Sequence, residues 1–248
     1  GVDRPQLKRG KDSLVIDLSN LAFHWQPDAP TVLAIDTLQV DAGECLFIKG
    51  PSGSGKSTLL SLLSGVTTAS SGTVRVMDQD LGQLGSVQRD HFRADHIGYI
   101  FQMFNLIPYL SVINNVLLPC RFSESRRQKA LARGNGLEAE ARRLLQHLDM
   151  DHPELLRRSV TTLSVGQQQR VAAARALMGS PEVLIADEPT SSLDADRRES
   201  FIHLLFDECR ESGATLIFVS HDASLQFLFD RAIDLAEINR ATMARVEI

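Results

Sequence analysis

Eight residues set the terms for the rest of the chain: Gly50-Pro51-Ser52-Gly53-Ser54-Gly55-Lys56-Ser57 satisfies G-x-x-x-x-G-K-[ST] in full. The stretch follows Cys45-Leu46-Phe47-Ile48, a short, almost wholly apolar run that reads as a buried strand of a parallel sheet. It leads into Lys56 to Ser64, where apolar residues recur at helical spacing. Strand, glycine-rich turn and helix in that order make an anion cradle. Glycines let the backbone curl until several N–H groups face one anion, and the helix N-terminus adds its partial positive charge. Lys56 is then placed to reach the outer phosphates of a nucleotide, and the Ser57 hydroxyl to ligate Mg²⁺.

The other apolar runs complete a fold class. Leu14 to Trp25 and Leu33 to Val40 alternate roughly between apolar and polar residues, which predicts antiparallel strands. Ile97–Phe101, Val183–Ala186 and Leu216–Val219 are short, β-rich and followed by polar or turn residues. Asp196 to Ser212, closed by Gly213, has the spacing of a long amphipathic helix. Such alternation predicts an α/β architecture with crossover connections. From about Asn114 to Met178 no convincing strand occurs; Glu138–Leu148 is strongly helical, and Gly134-Asn135-Gly136 marks a loop. The expected fold is α/β, with a mainly parallel core sheet, an N-terminal antiparallel β subdomain and an inserted α-helical subdomain. Residues 1–13 are polar and expected to form a flexible tail. Residues 14–248 are expected to form one domain, with 14–110 and 180–248 making the core and β subdomain and about 111–179 the helical part.

Val183-Leu184-Ile185-Ala186-Asp187-Glu188 ends an apolar strand in two carboxylates. Beside a phosphate cradle, the first carboxylate at such a strand end holds the Mg²⁺ shell. Successive strand side chains point to opposite faces, so Asp187 and Glu188 need not share a role unless the chain turns there. Pro189 makes that turn available, and Glu188 could then polarise an attacking water as a general base.

Leu163-Ser164-Val165-Gly166-Gln167-Gln168-Gln169-Arg170 resembles the signature motif of ATP-binding-cassette (ABC) proteins. Asp187-Glu188-Pro189-Thr190-Ser191-Ser192-Leu193-Asp194 resembles that family's acidic strand end followed by its D-loop. With the Gly50–Ser57 loop these motifs stand in the family's order, over about residues 14 to 235. The resemblance implies a P-loop NTPase core that hydrolyses ATP with Mg²⁺. It implies that ATP is held by Gly50, Pro51, Ser52, Gly53, Ser54, Gly55, Lys56, Ser57 and Thr58. Trp25 occupies the place of the aromatic that stacks on adenine, with Phe23 as its core-packed neighbour. Gln102 looks like the Q-loop glutamine, His221 like the switch histidine, and Glu188, His221 and Gln102 form the implied catalytic set. Mg²⁺ falls to Ser57, Gln102 and Asp187, while Ser164, Val165, Gly166, Gln167 and Asp194 contribute nucleotide contacts. Val165 departs from the family, which has glycine there. A β-branched residue disfavours positive φ, so either that backbone position is ordinary or the motif is altered.

One copy of each motif implies that two chains pair head to tail, each signature loop covering its partner's ATP. Phe101-Gln102-Met103-Phe104-Asn105-Leu106-Ile107-Pro108 and Asn114-Asn115-Val116-Leu117-Leu118-Pro119 resemble the lipoprotein-releasing, macrolide-export and cell-division ATPases of bacteria. That subgroup implies a permease partner with few membrane spans and a large extracytoplasmic domain; the runner-up is an importer ATPase for amino acids or peptides. The apolar segment Met103–Pro119 reads as core packing of the helical subdomain, as a groove for a permease helix, or as both. The basic run Arg121–Arg133, with Arg126, Arg127 and Lys129, reads mainly as a solvated helix face, otherwise as a contact for lipid head groups or a partner.

Composition agrees with a motor that works on a separate membrane subunit. Twenty-six basic against 31 acidic residues leave a net charge of −5, which argues against a nucleic-acid partner. No apolar run approaches the roughly 18–20 residues that cross a bilayer, and no basic segment precedes an apolar stretch near residue 1. The expected location is cytoplasmic, peripheral on the inner membrane through the permease. Cys45, Cys120 and Cys209 lack close metal-ligand spacing and read as reduced structural thiols. A DNA-repair or chromosome ATPase would need a long coiled coil or zinc insertion. A translation-factor ATPase would normally carry two cassettes, and a small P-loop kinase would lack the signature.

Overall fold

The computed structural model describes residues 14–150 and 152–241, so the tail expected over 1–13 lies outside the described residues. The elements in chain order begin with β1 (Leu14–Phe23), β2 (Leu33–Asp41), β3 (Cys45–Lys49), α1 (Lys56–Leu63), β4 (Ser71–Val76) and β5 (Gln79–Asp80). Then come α2 (Ser86–His96), β6 (Ile97–Ile100), α3 (Val112–Leu117), α4 (Pro119–Phe122), α5 (Glu124–Leu131), α6 (Leu137–His147) and α7 (Val165–Leu177). The chain continues through β7 (Val183–Asp187), α8 (Ala195–Ser212), β8 (Thr215–Ser220), β9 (Arg231–Asp234) and α9 (Leu235–Ile238).

An antiparallel sheet takes the order β2-β1-β4-β5, and a parallel sheet the order β6-β7-β8-β3-β9. Period-two alternation divides the core between the faces of the parallel sheet. Phe47, Leu184, Ala186, Leu216 and Phe218 pack with α7, α8 and the helices after β6. Leu46, Ile48, Ile185, Ile217 and Val219 pack with α1 and the antiparallel sheet. Both faces are therefore covered, which is why these strands are apolar throughout rather than alternating.

The first strand ends at Phe23, two residues short of the expected Trp25. Val32 donates back to the Phe23 carbonyl at 2.9 Å, so the ladder closes there, and Trp25 sits in the turn that follows. Between β6 and β7 the described residues form helices and short 3₁₀ turns, with one isolated bridge from Ser111 to Ser159. In the segment from Met103, Phe104, Val112, Ile113 and Val116 enter the core, while Met103 and Tyr109 are exposed.

The basic run around Arg126 is not wholly a solvated face. Arg121 and Arg127 are exposed, but Arg126 is 4% exposed and its guanidinium donates to three carbonyls at the C-terminal end of α7. The distances are 2.8 Å to Met178, 2.8 Å to Ala176 and 3.4 Å to Arg175. The last carbonyls of a helix have no intrahelical donor, and a cation there also meets the negative end of the helix dipole. Burial lowers the Arg126 pKa to about 10 despite the nearby Cys120, Glu182 and Asp95, so it stays protonated at neutral pH. Lys129 is paired too, with Glu182 at 2.6 Å.

Candidate active site

Strand order brings the chemistry together. Since β8 lies between β3 and β7, the loop after β3, the acids ending β7 and the histidine after β8 emerge at adjacent carboxyl ends of one parallel sheet. Ligands of open α/β sheets bind at such an edge. Between β3 and α1 the chain takes the cradle turn. Gly50 donates to the Ser220 carbonyl at 3.2 Å, tying the loop to β8. Gly55 precedes α1 with φ +93, where a side chain would be strained and its Cβ would meet Leu33 at 2.9 Å. At Gly50 a Cβ would meet the Lys56 stem at 2.9 Å.

An open cleft of about 820 Å³ is lined by Gly50, Pro51, Ser52, Gly53, Gly55, Lys56, Ser57 and Thr58, together with Gln102, Glu188, His221 and Val32. Nearly the whole expected cradle and all three expected catalytic side chains thus face one volume. Ser54 is the exception within the loop. It is buried, and its carbonyl accepts from Asn239 Nδ2 at 3.0 Å.

The charged centre is compact. Lys56 Nζ lies 3.4 Å from Glu188 Oε1 and 3.6 Å from Asp187 Oδ1. The same Glu188 oxygen accepts from the His221 backbone N–H at 2.8 Å and lies 2.9 Å from His221 Nδ1. Glu188 has φ +47, so the chain does turn after β7, and the two neighbouring acids reach the same lysine. Burial raises the Asp187 pKa; Lys56 opposes the shift and Glu188 adds to it. Asp187 Oδ1 is buried without a hydrogen-bond partner, since the Lys56 contact is an ion pair longer than a hydrogen bond. Asp187 is not among the residues lining the cleft, but its orphaned oxygen lies beside Lys56, which lines it with the exposed Ser57 and Gln102; together the three would offer an all-oxygen donor set suited to a hard cation.

Other expected residues stand apart from this cleft. Trp25 does not line it; it is 63% exposed, with its ring edge-on to Phe23 at 4.8 Å. Phe23 is buried, as its expected core role requires. The signature residues sit at the start of α7 and do not line the cleft. Ser164 caps that helix: its Oγ accepts from Gln167 N at 3.2 Å, and Gln167 Oε1 accepts from Ser164 N at 3.0 Å. Val165 is the first helical residue and is absent from the positive-φ positions, so its backbone is ordinary and valine is accommodated. Asp194 caps α8 through Arg197 N at 3.0 Å, also away from the cleft.

Two residues emerge that motif reasoning passes over. Val32 lines the cleft, and Asn239, fully buried, ties β2 and Val32 to the cradle through Ala34 N, the Val32 carbonyl and the Ser54 carbonyl. Asn239 is 185 positions from Ser54, and no spacing rule connects them.

Residues 33–191 match the family model described as "ABC transporter". The chain is 38% identical to the lipoprotein-releasing system ATP-binding protein LolD of Syntrophotalea carbinolica, covering 92% of this chain and 97% of that protein. It is 39% identical to the macrolide export ATP-binding/permease protein MacB of Shigella flexneri, covering 81% of this chain and 30% of that longer protein. Among solved structures, the ATP-binding cassette MJ0796, a dimer in a post-hydrolysis state bound to ADP and Pi, superposes with TM-score 0.73 at 32% identity. That match covers 88% of this chain and 93% of the other.

Proposed function

The chain belongs to the ABC transporter family as an ATP-hydrolysing subunit, and from that premise we propose that it powers a separate membrane permease of export type by closing on ATP as a head-to-tail homodimer. The observation carrying the dimer is the incomplete cleft: cradle, Gln102, Glu188 and His221 face it, whereas Ser164, Val165, Gly166, Gln167 and Asp194 do not. A second chain presenting its α7 N-terminus would add amide N–H groups and a helix dipole opposite the first cradle. The dimeric MJ0796 cassette supports this reading.

In the proposed site the cradle amides and Lys56 bind the phosphates, Thr58 closes the first turn of α1, and exposed Trp25 offers its face to adenine. Ser57, Gln102 and Asp187 would hold Mg²⁺, which when bound supplies charge neutralisation at the phosphates. Glu188 acts as general base on the attacking water. Its carboxylate is held by the His221 backbone N–H and lies 2.9 Å from ring Nδ1, so the His221 ring, largely exposed in the cleft, meets the terminal phosphate through its other nitrogen.

The names of LolD and MacB support release or export over the importer alternative, and neither is an importer by name. No helix among the described residues is long and apolar enough to cross a membrane; in the proposed reading a partner subunit performs the membrane step and holds this chain peripherally on the cytoplasmic face. The helices from Val112 to Leu177 between two core strands support one ATPase domain over 14–248 with a helical subdomain at about 111–179. Size exclusion of Glu188→Gln tests the central claim. The variant should bind Mg-ATP, fail to hydrolyse it and elute as a dimer; a monomer at saturating Mg-ATP refutes the composite site.

A further inference from the structure

Gln169 lies on α7, five residues after Ser164, and is fully buried. Its Nε2 donates to the Pro189 carbonyl at 2.6 Å, while its Oε1 is buried with no partner. A buried amide with an unpaired oxygen is a poor choice for packing alone, because methionine or leucine would fill the space without an orphaned acceptor. The donor is therefore the part of the side chain that explains the residue.

What that donor grips is the carbonyl of Pro189, the residue that follows Glu188. Glu188 has φ +47, a conformation that non-glycine residues adopt rarely and keep only where their surroundings enforce it. On one side the turn is held by Glu188 N, which donates to the Val219 carbonyl at 2.8 Å. On the other side it is held by Gln169 through Pro189. Between these two anchors the Glu188 carboxylate reaches His221 and Lys56. Ser191 N also donates to the Glu188 carbonyl, at a longer 3.4 Å, so the Gln169 bond is the short one on this side of the turn.

We propose that Gln169 is a positioning residue for ATP hydrolysis: by holding the Pro189 carbonyl it keeps Glu188 in its left-handed conformation and ties the base to the helix whose first turn carries the signature. The inference rests on Glu188 as the base. It adds a path within one chain from the N-terminal turn of α7, which faces the partner's nucleotide in the proposed dimer, to that chain's own hydrolytic centre.

Steady-state ATP hydrolysis by the full chain tests it, with wild type, Gln169→Met and Glu188→Gln compared. Methionine keeps the length and apolar volume and removes the donor. In Q169M, kcat should fall about tenfold or more, with KM for ATP, nucleotide affinity and thermal midpoint close to wild type. The Q169M/E188Q double variant should still form the Mg-ATP dimer that E188Q forms, because α7 itself is intact. Wild-type kcat in Q169M beside an inactive E188Q overturns the positioning role and leaves the base assignment standing. Full turnover by E188Q overturns the base assignment and the proposal with it. A parallel fall in kcat, nucleotide affinity and melting temperature makes Gln169 structural and overturns the proposal. Gln169→Leu takes the place of Q169M if the methionine variant does not fold. Failure of both to fold likewise makes Gln169 structural and overturns the proposal.

Discussion

Glu188 Oε1 is shared by two donors of one residue, the His221 backbone N–H at 2.8 Å and the His221 ring, whose Nδ1 lies 2.9 Å away. Only one of those contacts belongs to the side chain. His221→Ala therefore leaves Glu188 anchored by the backbone and removes only the imidazole from the cleft. Loss of a group that acts on the reacting phosphate or water lowers kcat about 10²-fold or more. KM for ATP should change little, because the cradle is untouched. Phosphate-release kinetics over a range of ATP concentrations check this, and a fall confined to KM would place His221 outside the chemistry.

Lys56 is the cation that meets both strand-end acids, at 3.6 Å from Asp187 and 3.4 Å from Glu188. Lys56→Ala should lower kcat/KM for ATP by at least about 10²-fold, the scale of one lost charge-stabilising donor. Binding of a fluorescent ATP analogue should weaken in parallel. Unchanged hydrolysis would remove Lys56 from the phosphate site.

Much of this centre is legible in the chain because it is local. A strand, a turn that needs glycine at Gly55 and a helix follow one another within the stretch Cys45 to Leu63, and the acids ending β7 are marked by the apolar run before them. What is not legible depends on surfaces brought together across the sequence. Arg126 sits in a run of charges that looks solvated, and only the docking of α5 against the end of α7 supplies the three carbonyls that bury it. Asn239 reaches the cradle from the far end of the described chain. Gln169 lies inside a recognisable motif, yet its partner is a backbone carbonyl 20 residues away, which no side-chain pattern encodes.

Arg126 gives a stability prediction distinct from activity. Arg126→Met keeps an apolar stem but strands the Met178, Ala176 and Arg175 carbonyls that the guanidinium satisfies. Losing buried hydrogen bonds from a charged donor should cost about 3 kcal/mol. Urea unfolding should show a lower midpoint with an unchanged m-value. A loss below about 0.5 kcal/mol would return Arg126 to the class of ordinary surface charges.

Val165 begins α7 with ordinary backbone geometry. Restoring the family's glycine should therefore matter little. Val165→Gly is expected to change kcat by less than about twofold and stability by under about 1 kcal/mol, since it alters one first-turn residue of a capped helix. A large gain in hydrolysis would mean that the valine side chain, half exposed at the helix start, holds the signature back.

Glu182 gives the pH dependence, with a sign that follows from its environment. Burial would raise its pKa, but hydrogen bonds from His96 at 2.9 Å and Lys129 at 2.6 Å, with a further backbone bond, outweigh burial and hold it at about 2. The unfolded carboxyl titrates near 4.3. A folded pKa below the unfolded one means the contribution is complete above about pH 4.3 and is lost as pH falls toward 2. Lys129→Met removes one of the two side-chain donors and lets the folded pKa rise toward its unfolded value. The variant should be less stable than wild type by about 1 kcal/mol near pH 7, a modest figure because both side chains are about one-third exposed. That gap should narrow as pH is lowered from about 4.5 toward 2, where both proteins protonate Glu182. Urea midpoints measured for the pair between pH 7 and pH 3 test this directly. A gap that stays constant down to pH 3 would mean that Lys129 acts through its other contact, the Ser180 carbonyl at 3.2 Å, and not through the carboxylate.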